Sequence, residues 1–178
     1  MTASMLRELY TKFTDVAKLN ELEYLNTPVK VKILRDIEKI TVAGRVYEDL
    51  KAGSILTIFL WVGEKLVENH VAEFVDKPIN LTHLYQIEWR ERNNPADLQP
   101  LGKFFYCEAR RAVRVTGSEE MGRKLLDIMT LRLMKIVQLA AKRIGGEVLR
   151  KMTPEEQVLY ENIYGVVGEW MESVSPVR

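Results

Sequence analysis

Between Leu125 and Ala141, twelve of seventeen residues are apolar: Leu125, Leu126, Ile128, Met129, Leu131, Leu133, Met134, Ile136, Val137, Leu139, Ala140 and Ala141. Asp127, Lys135, Gln138 and Lys142 leave only a narrow polar stripe. An ordinary surface helix buries one apolar stripe, whereas a helix apolar almost all round must be covered on several sides. Leaving three or four Leu or Ile side chains in water forfeits roughly 1.5–3 kcal/mol each. The roughly one hundred residues that surround this run offer few neighbouring helices, so part of its surface is expected to pack on another chain. The competing reading is a central helix enclosed by its own domain.

The rest of the chain divides by period. Met5, Leu6, Leu9, Phe13, Val16 and Leu19 recur near helical spacing, which predicts an amphipathic helix over Ser4 to Leu19, stopped before Pro28. From Val29 the period becomes two: Val29, Val31 and Ile33 alternate with Lys30 and Lys32, as in a half-buried strand. A β-rich piece over Ile40–Tyr47 with Gly44 as a bend or bulge follows, then a turn at Lys51-Ala52-Gly53 and a strand over Ile55–Ile58. A short helix over Leu60–Val67 and a strand over Val71–Val75 complete a small β-rich domain.

After Pro78 the strands stop. Helices are predicted over Leu81–Trp89 and Phe104–Val115, the second ended by Gly117. Ser118, followed by Glu119 and Glu120, caps the long helix, which is expected to run to Gly145-Gly146, with glycine supplying the left-handed terminal residue. Thr153-Pro154-Glu155-Glu156 is a capping box with proline at the first helical position, and Leu159, Ile163, Val166 and Trp170 recur on one face of the helix it opens. The expected fold class is α+β: an N-terminal helix and linker (1–28), a small β-rich domain (29–78) and an all-α helical bundle domain (79–178).

Charge narrows the function classes less than its distribution does. The 26 basic and 25 acidic residues nearly cancel, but residues 103–151 carry +7 and residues 152–178 carry −4. Arg110, Arg111, Arg114, Arg123, Lys124, Arg132, Lys142, Arg143, Arg150 and Lys151 form a candidate phosphate-binding surface, which makes a DNA-binding module on the basic 103–151 helices the alternative reading. The bland reading is solvated helix faces paired within the chain. A single cysteine, Cys107, excludes an internal disulfide, and charges interrupt every apolar run of membrane-spanning length. With no basic region leading into an apolar core at MTASMLRELY, an intracellular compartment and no membrane association are expected.

A search for chemistry finds no glycine-rich phosphate loop, nucleophile elbow or His/Glu metal motif. His70 and His83 read as partly exposed or structural, Cys107 as a small buried residue, and the paired acids as turn and capping residues. An enzyme is disfavoured, and no metal or cofactor is expected.

Three stretches carry a family resemblance. Lys51-Ala52-Gly53-Ser54-Ile55-Leu56, Leu60-Trp61-Val62 and Leu66-Val67-Glu68-Asn69-His70-Val71-Ala72 form the first; Leu98-Gln99-Pro100-Leu101 with Phe104-Phe105-Tyr106 and Ala109-Arg110 the second; Thr153-Pro154-Glu155-Glu156 through Tyr160 the third. In order and spacing they resemble a subunit of the GINS complex, a DNA replication factor, in the archaeal class whose small β-rich domain precedes the helical domain. The resemblance spans roughly residues 29–175. It departs from the family at Phe59 and Gly102, where proline is usual.

The resemblance implies a non-enzymatic scaffold that joins and activates the MCM replicative helicase with a RecJ-like partner. It implies a hetero-tetramer, commonly two copies each of two GINS subunit types, assembled through the helical domains and located at replication forks in the cytoplasm. Under it, Leu125, Met129, Leu133 and Ile136 divide between helical core and subunit interface, and Phe104, Phe105 and Tyr106 organise that core or a contact. Trp61 is the candidate partner contact in the β-rich domain, although a core tryptophan is the commoner case.

Overall fold

The computed structural model describes residues 3–42 and 44–175, and side chains within them from residue 12 onward except at 42. The helix α1 spans Ala3–Leu25, so it continues beyond the expected Leu19; the side chains of Met5, Leu6 and Leu9 lie outside the described residues. Two compact units divide the chain: Glu21–Pro78, and Ile79–Arg178 with the first twenty residues.

In the sheet unit, β1 (Pro28–Ile33) is the central strand, flanked antiparallel by β4 (Ile55–Phe59) and β5 (Ala72–Phe74). The alternation in β1 sends Val31 and Ile33 inward and leaves Lys30 and Lys32 outside, where Lys32 reaches Glu73 directly opposite it at 3.1 Å. The helix α2 (Leu60–Glu68) covers the inner face with Val62 and Leu66. It approaches closely because residue 63 is glycine: a Cβ there would stand 3.0 Å from the Phe74 ring and 3.3 Å from the Val29 and Val31 methyls.

The expected single β-rich piece around Gly44 is instead two antiparallel strands, β2 (Ile37–Val42) and β3 (Arg45–Leu50), forming a separate hairpin. Gly44, at φ +75°, takes the left-handed conformation that the chain reversal needs, so it ends one strand and starts the next rather than bending one. The turn before β4 is fixed by Asp36, whose carboxylate accepts from the Ala52 N–H at 2.9 Å, and by Gly53 at φ +88°.

In the helical unit, α3 (Leu81–Asn93), α4 (Phe105–Thr116), α5 (Glu119–Ala141) and α6 (Pro154–Val174) pack around two apolar clusters. Leu84, Ile87, Phe105, Ala109, Ala112, Met121, Leu125 and Ile128 form one; Leu98, Ile136, Leu139, Ala140, Met152 and Tyr160 form the other. The start signals act as local chemistry dictates. Ser118 accepts from the Met121 N–H at 3.2 Å, and Thr153 and Glu156 exchange both bonds of the capping box, at 3.4 and 3.0 Å.

The end of α5 differs from expectation. It stops at Ala141, four residues before Gly145, and the left-handed residue is Arg143 at φ +58°. The Arg143 N–H bonds to the Ala140 carbonyl and the Ile144 N–H to the Leu139 carbonyl, the paired bonds of a Schellman end. A non-glycine residue tolerates this conformation here because its guanidinium stacks 4.5 Å from the centre of the Tyr164 ring on α6, in the space left by Gly168.

Candidate assembly interface

Between the two apolar clusters of the helical unit lies a network of buried charges. Arg132, on the inner face of α5, is fully buried. Nothing in its surroundings is left to water: Nε and Nη2 grip Glu156 of α6 at 2.6 and 2.7 Å, Nη1 donates to Glu91 of α3 and to the Gln99 carbonyl at 2.8 Å, and Nη2 also donates to the Lys151 carbonyl at 3.0 Å. All five guanidinium donors are used. Lys135, one turn on, spends its three donors on the Glu91 carboxylate, the Glu91 carbonyl at 2.7 Å and the Asp97 carbonyl at 2.9 Å. The Tyr106 hydroxyl donates to Glu156 at 2.6 Å.

Two cations meet two carboxylates, so the cluster is neutral, and full hydrogen bonding is the condition under which buried ions are tolerated. Burial opposes the charge on Arg132, yet Glu156 and Glu91 hold its affinity for the proton above the ordinary value. Burial, then the Glu156 carboxylate, pushes the Tyr106 hydroxyl far above the usual phenol range. The network ties α3, α5, α6 and the 97–101 segment into one register. Beside it, Lys124 bridges Glu88 at 2.7 Å and Asp127 at 3.2 Å. At the start of α4, Asn20 of α1 donates to the Lys103 carbonyl at 3.2 Å and to Glu155 at 2.8 Å.

Committing this face of α5 to the core leaves another face outside. Leu126, Met129, Leu133 and Val137 follow one another at spacings of three and four residues, and all are exposed, as is Met134. The stripe borders a groove of about 440 Å³ lined by Phe13 and Ala17 of α1, Tyr106 and Arg110 of α4, Leu125, Met129, Leu133 and Ile136 of α5, and Leu159 of α6. The groove and the ridge beside it make one largely apolar surface on α5, of the kind against which helices pack, with Arg110, Thr130, Glu155 and Glu156 also on its lining.

Residues 79–175, which hold this groove and the charge network, match the model of the Sld5 family, the GINS complex protein helical bundle domain. The chain belongs to this family. It is a subunit of the GINS replication complex, of α+β fold with the small sheet unit ahead of the helical bundle. Among curated proteins no match is found.

Within the GINS helical domain the candidate residues separate by burial. Phe105, Leu125 and Ile136 are buried, Phe104 and Tyr106 half-buried, and Met129 and Leu133 lie 43% exposed on the α5 stripe. On the last helix the expected apolar face is half covered: Leu159 and Ile163 are partly buried, while Val166 and Trp170 are exposed. Trp61 of the sheet unit is 39% exposed on α2, not a core residue, because the α2 face toward the sheet is taken by Val62, Gly63 and Leu66.

Two polar assignments are corrected. Lys135 is no part of a solvated stripe, and Arg132 is no part of a phosphate-binding surface, since both are buried against Glu91. Lys124 and Lys151 are held by Glu88 and Asp97, and Arg143 is stacked on Tyr164. The missed signal was positional. Arg132 and Lys135 fall on the same helical face as Met121, Leu125, Ile128 and Leu139, so a wheel of α5 alone places two cations in the core. Among the described residues no group of three His, Cys, Asp or Glu is arranged to hold a metal ion, and no helix is long and apolar enough to cross a membrane.

Proposed function

We propose that this GINS subunit is of the archaeal class in which the β-rich domain comes first, and that it acts as a non-enzymatic scaffold. In this reading it assembles with a second GINS subunit type as a 2:2 hetero-tetramer through the helical domains. The assembly joins the MCM helicase to a RecJ-like partner at replication forks and activates unwinding. The observation that carries the reading is the exposed apolar ridge Leu126, Met129, Leu133 and Val137 beside an apolar groove. Burying even half of those side chains favours association by several kcal/mol. Trp61, exposed on α2, is the anchor proposed for a partner of the sheet unit.

Co-expression with a candidate sister subunit, followed by native mass measurement, tests the assembly; a mass of two copies of each chain is expected. Stimulation of MCM unwinding by the purified complex, and none by the groove-disrupted complex, tests the helicase role. A chain that stays a single, thermally robust species with or without its sister overturns the reading. Binding to DNA by the isolated chain that falls steeply with salt would instead favour the DNA-binding module, through exposed cations such as Arg123 and Arg150.

A further inference from the structure

A sheet edge left bare pairs with other chains, and natural sheets guard their edges with charges or with very short strands. In the sheet unit β5 is three residues long and includes Glu73, β2 carries Glu38 and Lys39, and β3 carries Arg45, Glu48 and Asp49. β4 is different. It is the outer strand of the order β4-β1-β5, and its residues Ile55, Leu56, Thr57, Ile58 and Phe59 include no charge and no proline.

The register fixes which backbone groups of β4 are left over. Leu56 lies opposite Val31 and Ile58 opposite Val29. These pairs are in step with two flanking bonds, from the Ile33 N–H to the Ser54 carbonyl and from the Leu60 N–H to the Thr27 carbonyl, both 2.9 Å. Facing pairs in an antiparallel ladder alternate between bonded and unbonded, so Leu56 and Ile58 bond to β1 while the N–H and C=O of Ile55 and Thr57 point to the free edge. Both residues are exposed, and no backbone bond joins β4 to β3 among the described residues. An extended chain is the partner whose own N–H and C=O groups repeat at the spacing this edge offers.

A hollow of about 100 Å³ adjoins the edge, bordered by Tyr47 of β3, by Thr57, Ile58 and Phe59 of β4, and by Val62 of α2. It is well below the roughly 300 Å³ at which small-molecule sites begin, and it suits one aliphatic side chain. Its lining holds one charge, the Arg45 guanidinium, and no carboxylate. Arg45 has no ion pair among the described residues.

We infer that the free edge of β4 takes up an extended segment of a partner protein as an added strand. One aliphatic side chain of that segment fills the hollow, and a carboxylate two positions along, on the same face, meets Arg45. Neither Trp61 nor any residue of the α5 groove lines this hollow, so the inference stands or falls apart from the assembly proposed above.

Hydrogen exchange on the full chain, read by NMR, tests the edge. Titration with a short capped peptide of alternating valine and threonine, with one valine replaced by aspartate, tests the ligand. In the free chain the Ile55 and Thr57 amides should exchange at least roughly tenfold faster than those of Leu56 and Ile58, and the peptide should slow them by about threefold or more while shifting their resonances. A counterpart peptide with lysine for the aspartate should bind roughly fivefold more weakly, and Arg45→Glu should reverse that preference. Thr57→Pro removes an outward N–H without touching a bond to β1, and should weaken binding roughly tenfold. Circular dichroism melting checks both variants, and should the proline unfold the sheet, the Arg45→Glu reversal decides. Slow exchange of Ile55 and Thr57 in the free chain shows an edge already covered, and slowing with protein concentration alone shows a second copy on it; either overturns the inference. So does a peptide that fails to bind, binds without shifting these amides, or keeps its charge preference in Arg45→Glu.

Discussion

Arg132→Met is the perturbation that most directly interrogates the helical domain. The side chain is fully buried, and its replacement keeps apolar bulk while removing five hydrogen bonds. Breaking a buried ion pair from one side costs about 3–5 kcal/mol, because the partner charge stays behind unpaired. Here the loss is softened. Glu91 keeps Lys135, and Glu156 keeps the Tyr106 hydroxyl and the Thr153 N–H. The expected loss is therefore at the lower end, about 3 kcal/mol, a large share of the roughly 5–15 kcal/mol that stabilises a typical domain. In urea, with a slope near 2 kcal/mol/M, the midpoint should fall by about 1.5 M, followed by circular dichroism at a wavelength dominated by the helices. Adding Glu156→Gln should not double the loss: with the stranded carboxylate gone, the pair should be less damaged than the sum of singles by about 1–3 kcal/mol. A loss below about 1 kcal/mol, or strict additivity, would mean that Arg132 is solvated and the network does not hold the bundle together.

Leu133→Asp separates folding from assembly: with 43% of Leu133 exposed, the melting of the isolated chain should move by less than about 1 kcal/mol, while association with the sister subunit, read by native mass, should fall at least roughly tenfold. Gly63→Ala should destabilise by about 1 kcal/mol, since a methyl 3.0 Å from the Phe74 ring costs more in overpacking than the roughly 1 kcal/mol gained in helix propensity; a raised thermal midpoint would refute that balance. Two carboxyls should respond to pH in opposite senses. Burial raises Glu108 above its ordinary value, against the pull of His83 and Arg111, so its ionised form is disfavoured in the fold and its stabilising contribution is lost as pH rises through the folded value. Glu108→Gln should therefore stabilise at neutral pH and match the parent chain well below the ordinary carboxyl range, as urea midpoints will show. For Glu88, burial alone would raise the carboxyl, but hydrogen bonds from Lys124 and Arg92 hold it low, so its contribution is present above the ordinary value and vanishes as pH falls through the folded one. Glu88→Gln should then cost stability at neutral pH and nothing in strong acid.

What the amino-acid sequence by itself determined is whatever a few adjacent residues decide. The capping box at Thr153 and Glu156, the Ser118 cap, Gly117 after α4 and the alternation of Val29, Val31 and Ile33 each act over one turn or one strand, and each is present in the structure. The surplus of apolar surface on α5 was equally legible, being a count along one helix. The tertiary structure alone decided which of those side chains stay outside, because Leu125 and Ile136 are covered by neighbours from α3, α4 and α6 while Met129 and Leu133 meet none that bury them. It also turned Arg132 and Lys135 from surface cations into core residues, since their worth depends on Glu91 and Glu156, 41 and 24 positions from Arg132 along the chain. Where α5 ends was likewise a matter of packing: Tyr164 and the gap at Gly168 hold Arg143 in a conformation that local preference reserves for the glycines further on.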